Sequence, residues 1–225
     1  MKLSTTTITL AVAAACCIGL AAAQDAKTKQ GTDAKAPAVN PTDPNDPMMK
    51  AWEEAATPGK MHAWLCKDAG AWTGTTTMWM MPDAPPTVSE CTMVTTPIFG
   101  GRYLKQEFRG EMPGFGKFEG FSIVGYDNVA KQFQMTWADN MGTGMMTSVG
   151  QLSSDEKTLS WDCSFYCPMA QKKCSMREVV TRTGEGTETF DMYSTDPASG
   201  KEFKCMHIDL KRASKAAATT ASTQN

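Results

Sequence analysis

Histidine is nearly absent from this chain: its 225 residues contain only His62 and His207. A multi-histidine metal centre or a histidine-based proton relay therefore has little to work with. Missing too are a Gly-x-Ser-x-Gly elbow, a His-Glu-x-x-His helix and a glycine loop that could cradle phosphate. Charge of one sign is not in excess, since the formal net charge is -2, which removes the electrostatic case for nucleic acid or an anionic membrane surface as partner. No apolar run reaches the roughly 20 residues of a spanning helix; residues 8–20, about 13 long, come nearest. These absences leave no visible catalytic constellation, metal site or cofactor, and the expectation is a protein that is not an enzyme.

What is present begins with an export signal. Lys2 precedes the apolar run, and Ala21-Ala22-Ala23 supplies a small-residue cleavage site before Gln24. Residues 1–23 read as a signal peptide, which implies a periplasmic or secreted protein with no transmembrane segment in the mature chain. Lipoprotein anchoring through Cys16 or Cys17 is the weaker alternative, because Ala13-Ala14-Ala15 puts no large aliphatic side chain before them. Residues 24–46 are polar and proline-bearing without apolar periodicity, as expected of a disordered linker. The same reasoning makes residues 213–225 a disordered tail and leaves 47–212 as a single domain. Of the eight cysteines, six follow the signal: Cys66, Cys91, Cys163, Cys167, Cys174 and Cys205. An even number in an exported chain favours disulfides, and Cys167 and Cys174, flanking one turn, are the candidate pair.

Two capping side chains stand directly before prolines, Asp46 before Pro47 and Thr57 before Pro58, and predict short helices over 47–56 and 58–67. From Trp72 the hydrophobic period becomes two, most plainly where Phe133, Met135 and Trp137 alternate with Gln132, Gln134 and Thr136. Ten strands follow from this alternation: 72–81, 88–96, 102–111, 118–127, 132–139, 144–151, 158–166, 175–183, 187–194 and 201–211. The intervening turns are rich in Gly, Pro, Asp and Asn and too short for a helical crossover. Consecutive strands must then pair antiparallel, and a meander with one apolar face is best buried by closing into an up-and-down barrel. A two-sheet sandwich is the alternative.

The segments GAWTGTTTMW, IFGGRYLKQEFRG, KFEGFSIVGYDNVAKQFQMTWADNMGTG and GKEFKCMHIDLKR resemble the bacterial domain-of-unknown-function family 1579. The resemblance implies a mainly β, calycin-like barrel of lipocalin shape, and no established activity. Against it stands YCPMAQKKCSM, where the family usually has a plain Asp-Pro-type turn. Gly70-Ala71-Trp72 also resembles the lipocalin Gly-x-Trp signature, which implies a structural role for Trp72 beneath a basic side chain, with Arg212 the candidate to cover it by cation–π stacking.

A barrel of ten strands is wide enough to hold a cavity, so the expected partner is a small apolar ligand. Trp79, Arg102, Glu107, Phe121, Tyr126 and Trp137 are the candidate lining residues. Arg102 and Glu107 are an odd number of residues apart on one strand, so at most one of them faces inward. Haem or copper in the cell envelope is the alternative. Calycin-like barrels can hold haem through a late-strand histidine, but alternation sends His207 outward with Asp209. Copper would use Cys167, Met169, Cys174 and Met176 as soft ligands, although most of the 17 methionines fall within strands where packing accounts for them. An enzyme would require Glu90, Glu107, Glu119 and Asp139 to converge, and an interaction module would require Met80, Met81, Met145 and Met146 to form one exposed patch.

Overall fold

The computed structural model describes residues 43, 45–112, 114–168 and 170–213. The expected signal peptide with Cys16 and Cys17, most of the expected linker, Met169 and all but the first residue of the expected tail lie outside the described residues.

Among the described residues, two helices, α1 (Pro47–Ala56) and α2 (Lys60–Cys66), precede ten strands. These are β1 (Gly70–Met78), β2 (Thr87–Ile98), β3 (Tyr103–Met112), β4 (Gly116–Asp127), β5 (Gln132–Asp139), β6 (Met146–Leu152), β7 (Thr158–Cys167), β8 (Lys172–Gly184), β9 (Thr187–Thr195) and β10 (Glu202–Arg212). Each strand pairs antiparallel with the next, and β1 pairs with β10 from Trp72↔Arg212 to Met78↔Met206, which closes an up-and-down barrel. Closure excludes the sandwich, because no sheet edge remains at which two sheets could separate.

The helices show how local chemistry sets their ends. Asp46 accepts a hydrogen bond from the Met48 amide at 2.8 Å, and Pro47 occupies the first helical position of α1. Thr57, read as the cap of a helix beginning at Pro58, instead donates its hydroxyl back to the Glu53 carbonyl at 2.6 Å and so completes the end of α1. The start of α2 accordingly moves to Lys60, with the Gly59 amide donating to His62 Nδ1 at 3.0 Å. The last carbonyls of α1 have no intrahelical donors. Asn128 Nδ2 reaches the Glu54 and Thr57 carbonyls at 3.0 and 2.8 Å, and Arg102 Nε reaches Ala56 at 3.0 Å. These bonds fasten α1 to the β4–β5 and β2–β3 connections.

Strand β1 stops at Met78, short of the expected residue 81, since the Trp79 amide leaves the ladder for the Cys205 carbonyl at an irregularity in the β9–β10 register. Strand β8 begins three residues early, at Lys172. That extension alters the expected cysteine pair. Cys167 stands opposite Lys172 and Cys174 opposite Phe165, so the two are diagonal neighbours. Diagonal Cβ atoms are roughly 7–8 Å apart, whereas a disulfide needs about 4 Å. None of the six described cysteines is in a disulfide, contrary to the expected Cys167–Cys174 pair.

Two clusters fill the barrel. One gathers Leu65, Leu104, Val124, Phe133 and Trp161, and the other Trp72, Cys91, Met93, Ile208 and Leu210. Phe133 is the hub of the first, with ring contacts to Trp64, Tyr126 and Trp161 at centroid distances of 5.5, 5.0 and 6.4 Å. Phe133→Ala is expected to destabilise the barrel by about 3–5 kcal/mol, read as a lower midpoint at unchanged slope in urea unfolding.

Candidate functional site

Alternation around a closed sheet leaves each strand one inward row. On β1 it holds Trp72, Gly74, Thr76 and Met78; on β3, Leu104, Gln106 and Phe108; on β8, Met176, Glu178, Val180 and Arg182. These rows enclose a cavity of about 300 Å³. That volume lies at the lower end of the range for small-molecule sites. Eight of the 17 methionines line it.

The space survives because bulky rings lie against the wall. An added Cβ at Gly150 would come 2.6 Å from the Trp161 ring, and at Gly120 it would collide with Trp137. Each indole thus occupies the place of a missing side chain and leaves the axis of the barrel open.

One end of the barrel is sealed by α2. Trp64 and Leu65 project into the cavity, and Trp64 Nε1 donates to the Glu156 carbonyl at 2.9 Å. The Arg182 guanidinium stacks 3.7 Å from the Trp64 ring centroid, pairs with Asp68 at 2.9 Å and donates to the Trp64 carbonyl at 2.8 Å. Arg212 lies 5.1 Å from the Trp72 ring centroid and donates to the Ala69 carbonyl at 2.9 Å. The Arg182–Trp64 stack was not apparent from sequence. At the other end, the β1–β2, β3–β4 and β5–β6 connections place exposed Met80, Met81, Phe115, Met141 and Met145 about the mouth.

Thr76, Gln106 and Glu178 are among the polar groups that face this apolar space. The Thr76 hydroxyl, in a residue only 7% exposed, has nothing better beside it than the buried Cys91 thiol. Gln106 Oε1 accepts from the Ser122 hydroxyl at 2.8 Å, which fixes the amide at the wall. Glu178 is only 3% exposed, and burial pushes its carboxyl up to about 7, with the Cys163 thiol as its hydrogen-bond donor. Burial first, and the Glu178 charge next, push Cys163 up to about 12, so this thiol stays protonated and is a poor nucleophile. Nearer α2, Glu188 is also raised to about 7 by burial, against the pull of Arg182.

Of the six expected lining residues, only Trp137 lines this cavity. Trp79 follows the end of β1, on the parity opposite to Met78. Arg102 is exposed and serves the end of α1. Glu107 points outward and pairs with Lys105 at 2.9 Å. Phe121 is 46% exposed on the outer face, because Phe118, Ser122 and Val124 take the inward row of β4. Tyr126 is inward but sits beyond the main cavity, edge-on to His62 and Phe133. Sequence alternation on β4 and β8 was ambiguous because both faces carry apolar groups. Glu178 was therefore missed, although it shares parity with Met176 and Val180.

The other constellations do not assemble. His207 is turned to the outer face, where its Nδ1 lies 2.6 Å from Asp191 Oδ1. Of the proposed copper ligands, Met176 lines the cavity, Cys167 and Cys174 are diagonal at a hairpin, and Met169 lies outside the described residues; none is assigned to a metal. Glu90, Glu107 and Glu119 face outward, and Asp139 accepts from Trp137 Nε1 at 2.8 Å. Met146 lines the cavity, while Met80 and Met81 stand across the mouth from Met145, so the four make no single patch.

Fold and cavity together define a small closed β-barrel with a helix-sealed end and an apolar interior. The chain belongs to the family described as protein of unknown function (DUF1579), whose profile matches residues 57–212. No curated protein matches it. Among solved structures it is similar to Rv2717c from M. tuberculosis, with 13% identity and a TM-score of 0.50 over 75% of this chain and 98% of that one. At that identity the likeness concerns the fold alone.

Raising Glu178 from an ordinary 4.5 to about 7 corresponds to roughly 3 kcal/mol. Its folded value lies above the unfolded one, so the native state keeps a proton that the unfolded chain releases, and stability falls as pH rises from about 4.5 to about 7. Above that window the full cost is present. Glu178→Gln is expected to raise unfolding stability at pH 8 by about 1–3 kcal/mol, and the gain should vanish toward pH 4 in urea titrations.

Proposed function

We propose that this chain is an exported, non-catalytic barrel that holds one small, mostly apolar molecule. The cavity carries the reading: it is open through the middle, lined by thioethers and indoles, and furnished with only a few polar groups, the usual composition of a small-molecule site. Methionine suits such a role, since its unbranched, polarizable side chain repacks around ligands of irregular shape. The apolar residues at the mouth favour an occupant with little solubility in water. Raised carboxyls line the cavity, and the Cys163 thiol that donates to Glu178 is held protonated by burial, which makes it a poor nucleophile. Export rests on the N-terminal pattern of charge, apolar run and small residues.

Native mass spectrometry of protein purified without detergent from its own host tests this. One adduct per chain, lost on organic extraction, is expected, together with a mature N-terminus at Gln24. A barrel that is empty as isolated and takes up no apolar probe would sink the ligand-binding reading.

A further inference from the structure

Of the carboxyls that line the cavity, Glu178 is the most deeply buried. Burying a carboxylate without a partner is costly, and proteins normally pair such a group or remove it. Arg182, on the same strand, is engaged with Asp68 and Trp64 at the sealed end. Among the described residues, the only side chain that hydrogen-bonds Glu178 is the neutral Cys163 thiol, and no cation influences it. The register shows what surrounds the carboxylate. Glu178 faces Trp161 on β7 and Met192 on β9, and Met192 in turn faces Met206 on β10. A carboxylate set between an indole and a row of thioethers, with the cavity before it, matches a positively charged group carried on hydrocarbon: charge pairing from Glu178, attraction to the indole ring, and soft contacts from sulfur.

We propose that the cavity selects an apolar amine, bound with its ammonium group against the Glu178 carboxylate and its hydrocarbon chain among the methionines. This rests on the reading of the barrel as an apolar-ligand binder and narrows it to a ligand class. An ammonium ion supplies the partner the fold withholds, and the stability that Glu178 costs the empty barrel is recovered on binding.

Three eight-carbon probes separate this from general apolar uptake: octylamine, octanol and octanoate, titrated calorimetrically into the mature full-length chain at pH 8. The amine is expected to bind at least about tenfold more tightly than the alcohol, with octanoate weakest, and Glu178→Gln should bring amine and alcohol to within about twofold. Equal affinities for amine and alcohol in the wild type, or an amine preference that survives Glu178→Gln, overturn the amine proposal and leave the apolar-ligand reading standing. Failure of all three to bind overturns both.

Should Glu178→Gln not fold, pH serves on the wild type. Titratable groups facing Glu178 are Cys163 from β7 and Cys205 from β10, held up to about 12 and about 11 chiefly by burial, so neither changes charge in the range used. Strand β9 presents Met192. Amine affinity should fall about tenfold per pH unit below about 7, while alcohol affinity stays level. Glu188, beside Arg182, also lines the cavity, so Glu188→Gln should retain the fall. An amine curve that is flat with pH, or a fall abolished by Glu188→Gln, overturns the assignment to Glu178.

Discussion

The ladder between β1 and β10 is the contact on which the rest of this molecule depends. Without it the ten strands form an open meander with two unpaired edges and no defined interior. With it, every strand acquires an inside row and an outside row. Trp72, Gly74, Thr76 and Met78 then face the same space as Ile208 and Leu210 from the far end of the chain. The ladder also brings Arg212 next to Trp72, so the last residues of β10 help seal the end that α2 occupies. Closure and plugging are one event at that end: Asp68, between α2 and β1, receives both Arg182 and Arg212.

Inside, size and charge are handled in different ways. Glycines at inward positions let Trp137 and Trp161 lie flat against the wall, and methionines fill the remainder loosely, which keeps space along the axis. Most buried polar groups are satisfied locally, as Ser122 is by Gln106. Thr76 and Glu178 are served less well, the carboxyl having only a neutral thiol as its side-chain hydrogen-bond partner among the described residues. Natural proteins retain groups that lower stability mainly where function uses them, and these two stand on different strands facing one cavity. The choice of an amine as ligand grows from this contrast between well-paired and poorly paired polar groups more than from the shape of the barrel, which serves many purposes in unrelated proteins.

How far residues alone lead depends on how clean their alternation is. In β5 the apolar and polar positions separate fully, and Phe133, Met135 and Trp137 do face inward. In β4 both faces are apolar, and Phe121 and Ile123 turn out to be exposed while Ser122 is buried. The parity limit on Arg102 and Glu107 allowed one of them inside, and neither is: Glu107 lies on the parity opposite to the inward Leu104, Gln106 and Phe108, and Arg102 precedes β3 in an exposed turn. Arg102 could not be recognised as a helix-end partner from sequence, since its acceptor, the Ala56 carbonyl, is 46 residues away. The cysteine pair failed for a related reason: a hairpin three residues longer than expected changes which residues face each other.

Sequence by itself determined the helix before the sheet, the succession of ten short amphipathic strands, the antiparallel order that short turns impose and the outward turn of His207. All of these follow from near-neighbour chemistry: caps, prolines, turn residues and a period of two. Tertiary structure alone decided that the sheet closes, which face of β4 and β8 is interior, and that Glu178 is buried beside Trp161 and Met192 with no cation at hand among the described residues. Those outcomes depend on register between strands distant in the chain, where a shift of one residue exchanges inside for outside and no local signal reports the choice.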